Sequence, residues 1–356
     1  MTSRLANILK AATIALMAMA LGACVNNTTE PFGQSQVVGF DAVVAPTAAD
    51  QSRAIISDLN YPETQPFMAY ASWLGEGKNW DDNKAEAVAF IEGNKVEYDT
   101  YLAGKWTTQT PYYWPTMGSL TFWAYAPYME SATLRDKFAF SHTTGDLTIT
   151  DWDVGAQNDV DLMVADVQKN LTSDIAASGV PVAFRHKLAL VSFKAGLIQD
   201  YVLGGTTYHL YLQRVELCKV KTKGNYSSLA DQWSGQSEEE SVVIYQNTSG
   251  SEANGYDVTT DISANVGQVL VMPQVHLAAA DLSQAYVYVE WYDSKDGTTG
   301  SKNVNLRNAI TDSHWAINNH YTYLLLWERG EPKYIEFTTP SVDAWANGGS
   351  YTITIN

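Results

Sequence analysis

Four aspartates, Asp151, Asp153, Asp159 and Asp161, fall in the run DWDVGAQNDVDL, where closely spaced carboxylates could hold a calcium ion or serve as an acid and a base. A calcium loop of the helix–loop–helix kind needs glycine at its sixth position for a sharp turn and glutamate at its twelfth as a bidentate ligand. Counted from Asp151, those places hold Ala156 and Leu162. A glycoside-cleaving pair needs two carboxylates at a fixed separation in an enclosed site, and nothing in this spacing encloses one. The run is expected to be a solvated acidic turn. The six histidines are scattered. His186 alternates with Phe184 and Leu188 on one strand face, the place of a hydrogen-bonded structural histidine, and His314 and His320 straddle a turn leading into a strand. There is no G-x-S-x-G elbow, no H-E-x-x-H pair and no P-loop, and GEGKNW lacks the third glycine of a dinucleotide fingerprint. No catalytic residue, metal site or cofactor is expected.

The other feature with chemical potential is aromatic. QTPYYWPTMGSLTFWAYAPY, from Gln109 to Tyr128, holds seven aromatics and three prolines. Two uses compete. Trp123 and Tyr125, with Trp80 and Trp106 from elsewhere in the chain, would make a sugar-stacking surface on a glycan-binding lipoprotein. Alternatively, aromatics at alternate strand positions pack a β-domain. Leu120, Phe122, Ala124 and Ala126 share one face while Trp123 and Tyr125 take the other. That arrangement favours packing, with the second face covered by a loop or a neighbouring domain.

Strands must position these residues. VVGFDAVV places Val38, Phe40, Ala42 and Val44 on one side of a strand over 37–44. The same two-residue period recurs in YHLYLQRVEL, GQVLVMPQ, AYVYVEWYD, HYTYLLLWE, KYIEFTT and SYTITIN, each bounded by turn-forming residues. DSKDGTTGSKNV has the composition of a hairpin connection, and helix is confined to short segments near Met129 to Phe138 and Ser228 to Trp233. QWSGQSEEESVVIYQNTSGSEANGYD, with the acidic triplet Glu238 to Glu240, is expected to be a long surface loop. The pattern predicts an all-β protein of two β-sandwich domains in series, residues 54–178 and 179–356, divided after the polar stretch from Gln168 to Gly179. With 46% hydrophobic and only 17% charged residues, the chain has the apolar material for cores of that size.

At the N-terminus, Arg4 and Lys10 precede an apolar run from Ala11 to Leu21 that is too short to span a membrane and has the form of a secretory signal. Leu21, Gly22, Ala23 and Cys24 resemble a bacterial lipobox. Residues 1–23 are therefore expected to be removed and Cys24 to carry the lipid, since two or more acyl chains anchor a protein stably. Cys218 is then left without a disulfide partner. The formal charge of −17 becomes more negative once Arg4 and Lys10 leave, which disfavours nucleic-acid partners. Residues 24–53 comprise a polar tether, the strand over 37–44 and an Ala-rich connection. Arg53 is the sole basic residue between Cys24 and Lys78, accessible there to a trypsin-like protease.

YYWPTMGSLTFWAYAPY, DLMVAD at Asp161, PVAFRHKLALVSFKA at Pro181 and WAINNHYTYLLLWERGEPKYIEFTTPSVDAW from Trp315, in that order behind a lipobox, resemble the fimbrillin-like (Mfa-like) lipoproteins of Bacteroidales. The likeness covers nearly the whole mature chain. It implies two transthyretin-like β-sandwich domains and a structural role in type V fimbriae on the outer membrane and cell surface, supporting adhesion and biofilm formation. It also implies assembly by strand exchange. A trypsin-like protease cuts after Arg53, and the strand carrying Val38, Phe40 and Val44 leaves. A neighbour's C-terminal strand, GGSYTITIN with Tyr351, Ile353 and Ile355 on one face, then fills the groove. The implied partners are other fimbrial subunits, the processing protease and the outer membrane. One departure stands out: VNNTTE after Cys24 lacks the acidic cluster common in surface-exported lipoproteins of these bacteria.

Overall fold

Alternating side chains are buried where a strand is paired into a sheet and a second layer covers its apolar face. A computed structural model describes residues 36–44, 61–100, 105–275, 282–306, 314–327, 341–344 and 347–348. Cys24, Arg53, Tyr351, Ile353 and Ile355 lie outside them. Strand is the dominant regular structure of the described residues, as the hydrophobic period predicts, and the protein is all-β.

The first strands are β1 (Phe40–Val44), β2 (Phe67–Leu74), β3 (Val88–Asp99), β4 (Lys105–Thr108) and β5 (Ser119–Ala126). They are followed by β6 (Phe138–Phe140), β7 (Leu147–Asp153), β8 (Met163–Ala165), β9 (Gln168–Leu171) and β10 (Val180–His186). Within one sheet the order runs β2-β3-β4-β1-β10-β8-β5, and β5 pairs back onto β2 from Met68↔Tyr125 to Leu74↔Ser119, so the strands close into a ring. β9 extends the line of β8 along β5. Closure leaves the ring without a free edge between its members, and its interior holds Phe40, Phe67, Trp106, Phe122, Val182 and Phe184.

The later strands are β11 (Ala189–Leu197), β12 (Val202–Leu203), β13 (Thr206–Thr207), β14 (Leu210–Ser227), β15 (Gln232–Gln246), β16 (Tyr256–Val258) and β17 (Gly267–Val271). After them come β18 (Gln274–Val275), β19 (Tyr286–Asp293), β20 (Thr298–Asn305), β21 (His314–Trp315), β22 (Asn319–Trp327), β23 (Ser341–Ala344) and β24 (Asn347–Gly348). A five-stranded sheet, β17-β11-β22-β23-β24, faces a seven-stranded one built on β20-β19-β14-β7-β6 with β15 and β16 also on β14. Val191, Phe193 and Tyr323 from the first and Leu212, Leu217 and Val289 from the second meet in one apolar cluster.

Sheet membership does not follow the division expected at residue 178. β10 lies beyond that point yet belongs to the ring, and β7 lies before it yet pairs with β14 through Lys223↔Asp153 and Gly224↔Trp152. A third apolar cluster joins the two halves. Met68, Tyr125 and Val164 on the ring's outer face pack with Ile149, Trp152, Tyr226 and Leu270. At this seam Lys187 donates to Asp231 at 2.8 Å, and the Trp233 indole donates to the Lys187 carbonyl at 2.6 Å. Burial pushes the Asp231 carboxyl up, but hydrogen bonds from Lys187 and Tyr226 outweigh it and hold the group below its ordinary value.

Three local expectations change. The polar segment after Gln232 is not a loop for its first part but β15, paired along most of the long β14. Its acidic triplet is matched by lysines across the ribbon: Lys221 stands opposite Glu239, and Lys223 reaches Glu238 at 2.7 Å. A strand whose partner supplies charge rather than an apolar face carries no two-residue hydrophobic signal. The helix expected near Ser228 to Trp233 is the turn of this hairpin. The helix expected near Met129 shrinks to α2 (Ala132–Arg135), while α1 (Trp80–Asn83) is capped by Asn79, whose side chain accepts from the Asp82 amide. The hairpin expected at Asp293 forms between β19 and β20, with Gly297 at φ 63°.

Candidate functional site: the seat of the first strand

β1 is five residues long, and its alternation is complete: Phe40, Ala42 and Val44 point inward with Val38 ahead of them, while Asp41 and Val43 face out. Phe40 sits edge-on to Phe67 and Phe122, with ring centroids 5.8 and 5.9 Å away. The expected inner-face residues Val38, Phe40 and Val44 are thus brought together in the ring's core.

The two flanks of β1 differ. On one side it runs parallel to β10 in unbroken register from Phe40↔Val180 to Val44↔Phe184, and the Val180 amide donates to the Gly39 carbonyl at 2.8 Å. On the other, β4 contributes one registered pair, Phe40↔Trp106. The preceding residues are held instead by the aromatic stretch. The Val38 amide donates to the Tyr112 carbonyl at 2.8 Å, the Trp114 amide donates to the Gln36 carbonyl at 2.9 Å, and Val37 bridges Tyr113.

Three residues that pattern reading missed complete the seat. Trp106, counted among candidate sugar platforms, lies inside the ring against Phe67 at 5.3 Å. Tyr61 stacks obliquely on Phe184 at 4.8 Å, and burial, reinforced by the charge of Asp161, pushes its hydroxyl far above the usual tyrosine value, so it stays neutral. No period announces Tyr61, which precedes its strand. Gly179 stands in the sequence only as the end of the polar stretch from Gln168. It has φ +86°, and a Cβ there would meet the Phe40 carbonyl carbon at 3.0 Å and the Asp41 nitrogen at 3.2 Å. Gly179→Ala is therefore expected to push β1 from its seat. Hydrogen exchange over 38–44 should rise about five- to thirtyfold, the equivalent of the 1–2 kcal/mol that a left-handed alanine costs, while exchange in β14 stays unchanged.

The other candidates do not assemble. Trp80, Trp106, Trp123 and Tyr125 are all buried, so they form no stacking surface. Trp123 packs on Trp80 at 4.6 Å, and Tyr125 stacks on Phe138 at 4.0 Å. The aspartates are dispersed as well. Asp153 lies 3.6 Å from Lys223, and Asp161 holds the buried His186 Nδ1 at 2.8 Å, the structural role expected of that histidine. His320 Nε2 meets Ser192 Oγ at 2.7 Å within the five-stranded sheet, while His314 is exposed. Among the described residues no group of three or more His, Cys, Asp or Glu side chains is placed to hold a metal ion.

No curated protein matches the chain. A fimbrial protein from Bacteroides vulgatus ATCC 8482 superposes with a TM-score of 0.55 at 15% identity, covering 79% of this chain and 93% of that one. A candidate cell adhesion protein from Bacteroides uniformis ATCC 8492 gives 0.52 at 15% identity, covering 88% of this chain and all of that one. At such identity these likenesses concern the fold. The sequence model of the fimbrillin-like family matches residues 70–356, and the chain belongs to that family.

Proposed function

We propose that this protein is a subunit of a cell-surface fimbria, made as a lipoprotein precursor anchored through Cys24 and polymerised by exchange of β1. A trypsin-like protease cuts after Arg53, β1 leaves with the lipidated segment, and a neighbour's C-terminal strand bearing Tyr351, Ile353 and Ile355 takes its place. The polymer supports adhesion and biofilm formation, and no enzymatic activity is assigned.

One observation carries this reading. β1 is the only described strand of the ring N-terminal to residue 61, so a single cut between 45 and 60 frees it while every other strand stays covalently continuous. Its loss would bare the edges of β4 and β10 and uncover Phe67, Phe122 and Phe184. Burying Val38, Phe40 and Val44 contributes about 1.5–3 kcal/mol each, against a whole-domain stability of about 5–15 kcal/mol. An empty seat is thus strongly unfavourable, and an alternating strand with one apolar face is its natural occupant. Family membership and the fimbrial relative's fold support the same reading.

Mild trypsin treatment of the purified mature protein should yield filaments visible by electron microscopy. Arg53→Ala should give a folded, full-length monomer, and deletion of residues 350–356 a subunit that is cut but forms no filament. Normal filaments from both variants would refute exchange at these segments. Separately, a fatty-acid analogue fed to cells should label the wild type and spare Cys24→Ser; label on the variant would remove the anchor from the proposal.

A further inference from the structure

An open cleft of about 510 Å³ lies on the ring's outer face where β3, β4 and the start of the β1 segment meet. Its volume falls in the range of about 300–1,000 Å³ usual for small-ligand sites. Among its lining residues, Glu97 and Asp99 come from β3 and Thr107 from β4, with Gln109, Tyr113 and Val37 beside them. Tyr113 is the only aromatic among the large apolar side chains that the described residues leave exposed. The chain otherwise buries or half-buries its described aromatics, so this ring is set apart by position as well as by exposure.

The cleft combines an aromatic face with a rim of oxygen and amide groups. A pyranose ring offers the complementary pair, a patch of C–H bonds on one face and hydroxyls around the edge. The C–H patch packs on an aromatic face, and hydroxyl donors suit carboxylate acceptors, whose hydrogen bonds are the stronger for their charge. Lys95, 2.8 Å from Glu97, holds that carboxyl below its usual range, so it remains an acceptor at neutral pH. Two carboxylates on a chain of formal charge −17 disfavour an anionic ligand.

From this geometry we infer that the cleft is a binding site for a neutral saccharide unit, stacked on Tyr113 and hydrogen-bonded through Glu97, Asp99 and Thr107. Because Val37 lines the wall, the site is complete while a strand occupies the β1 position. The site is separate from the buried tryptophans, which contribute nothing to it.

The unprocessed chain would be titrated with glucose, galactose, mannose and N-acetylglucosamine, with N-acetylneuraminic acid as the anionic comparison, by ligand-observed NMR. At least one neutral sugar should bind, and the anionic one should not. Tyr113→Phe should keep the affinity, while Tyr113→Ala and Glu97→Gln should each weaken it about tenfold or more, corresponding to about 1.4 kcal/mol. Val88→Ala, an exposed substitution on β3 outside the cleft lining, should have no effect. Failure of all four neutral sugars to bind at about 20 mM, a free energy too weak to matter, would overturn the assignment. So would binding that survives Tyr113→Ala unchanged. Both results are independent of whether trypsin yields filaments.

Discussion

Phe122→Ala is expected to destabilise the protein by about 3–5 kcal/mol, the usual cost of truncating a large aromatic in a packed core. Phe122 is 2% exposed, on the inner face of β5, and meets Phe40 at 5.9 Å and Trp114 at 5.7 Å. Every residue of β5 is buried, since the ring interior covers one face and the α1 region and the inter-sheet cluster cover the other. Little freedom remains for collapse into the space a phenyl ring would vacate. The void would open beside β1, so the loss should also loosen the seat. Urea unfolding of the purified chain measures the effect. Met117→Ala, a few residues away but 61% exposed, should change stability by less than about 0.5 kcal/mol. Equal behaviour of the two variants would contradict the packing assigned to the stretch.

Gly118→Ala should be comparably damaging for a different reason. Its φ is +80°, and a Cβ would lie 2.1 Å from the Leu74 carbonyl oxygen and 2.8 Å from the Trp73 indole nitrogen. The first contact is with backbone, which cannot rotate away. Relief requires moving the end of β5 off β2, breaking the Leu74↔Ser119 pair and the 3.0 Å bond from the Trp73 indole to the Met117 carbonyl. Left-handed backbone alone costs an alanine about 1–2 kcal/mol, and the clash should bring the total above about 3 kcal/mol. Gly77→Ala separates the two contributions, because Gly77 has φ +75° but nothing lies within 4 Å of the place its Cβ would take. It should lose only the backbone part. Equal unfolding midpoints for the two variants would show that the close approach at Gly118 is relieved elsewhere.

Much of the candidate site was visible in sequence, though not as a site. The alternation of VVGFDAVV identified Val38, Phe40, Ala42 and Val44 as one inner face, and SLTFWAYAP did the same for Phe122. That the strands lie side by side around one core, with Tyr61 and Trp106 between them, was not visible. Tyr113 lies in the same aromatic stretch as the buried Trp114, Trp123 and Tyr125, and membership of that stretch does not distinguish the ring that the fold leaves outside. Trp123 illustrates the opposite case: its outward position on β5 was legible, but its burial depends on Trp80 from α1 and Phe140 from β6.

The amino-acid sequence by itself determined that this is an all-β chain, which faces of its strands are apolar, where its hairpin at Asp293 turns, and that His186 is structural. Those properties follow from local sterics and a two-residue period, which act within a few residues and are written into any short window. Only the tertiary structure decided that β10 joins β1 in the ring, that β7 pairs with β14, that the acidic segment after Gln232 is a strand, and that four candidate platform aromatics are interior. Each of these rests on a partner tens of residues away. A strand carries the same alternation whichever neighbour it takes, so the choice among partners is made by the closing of the whole sheet and the packing of its two faces.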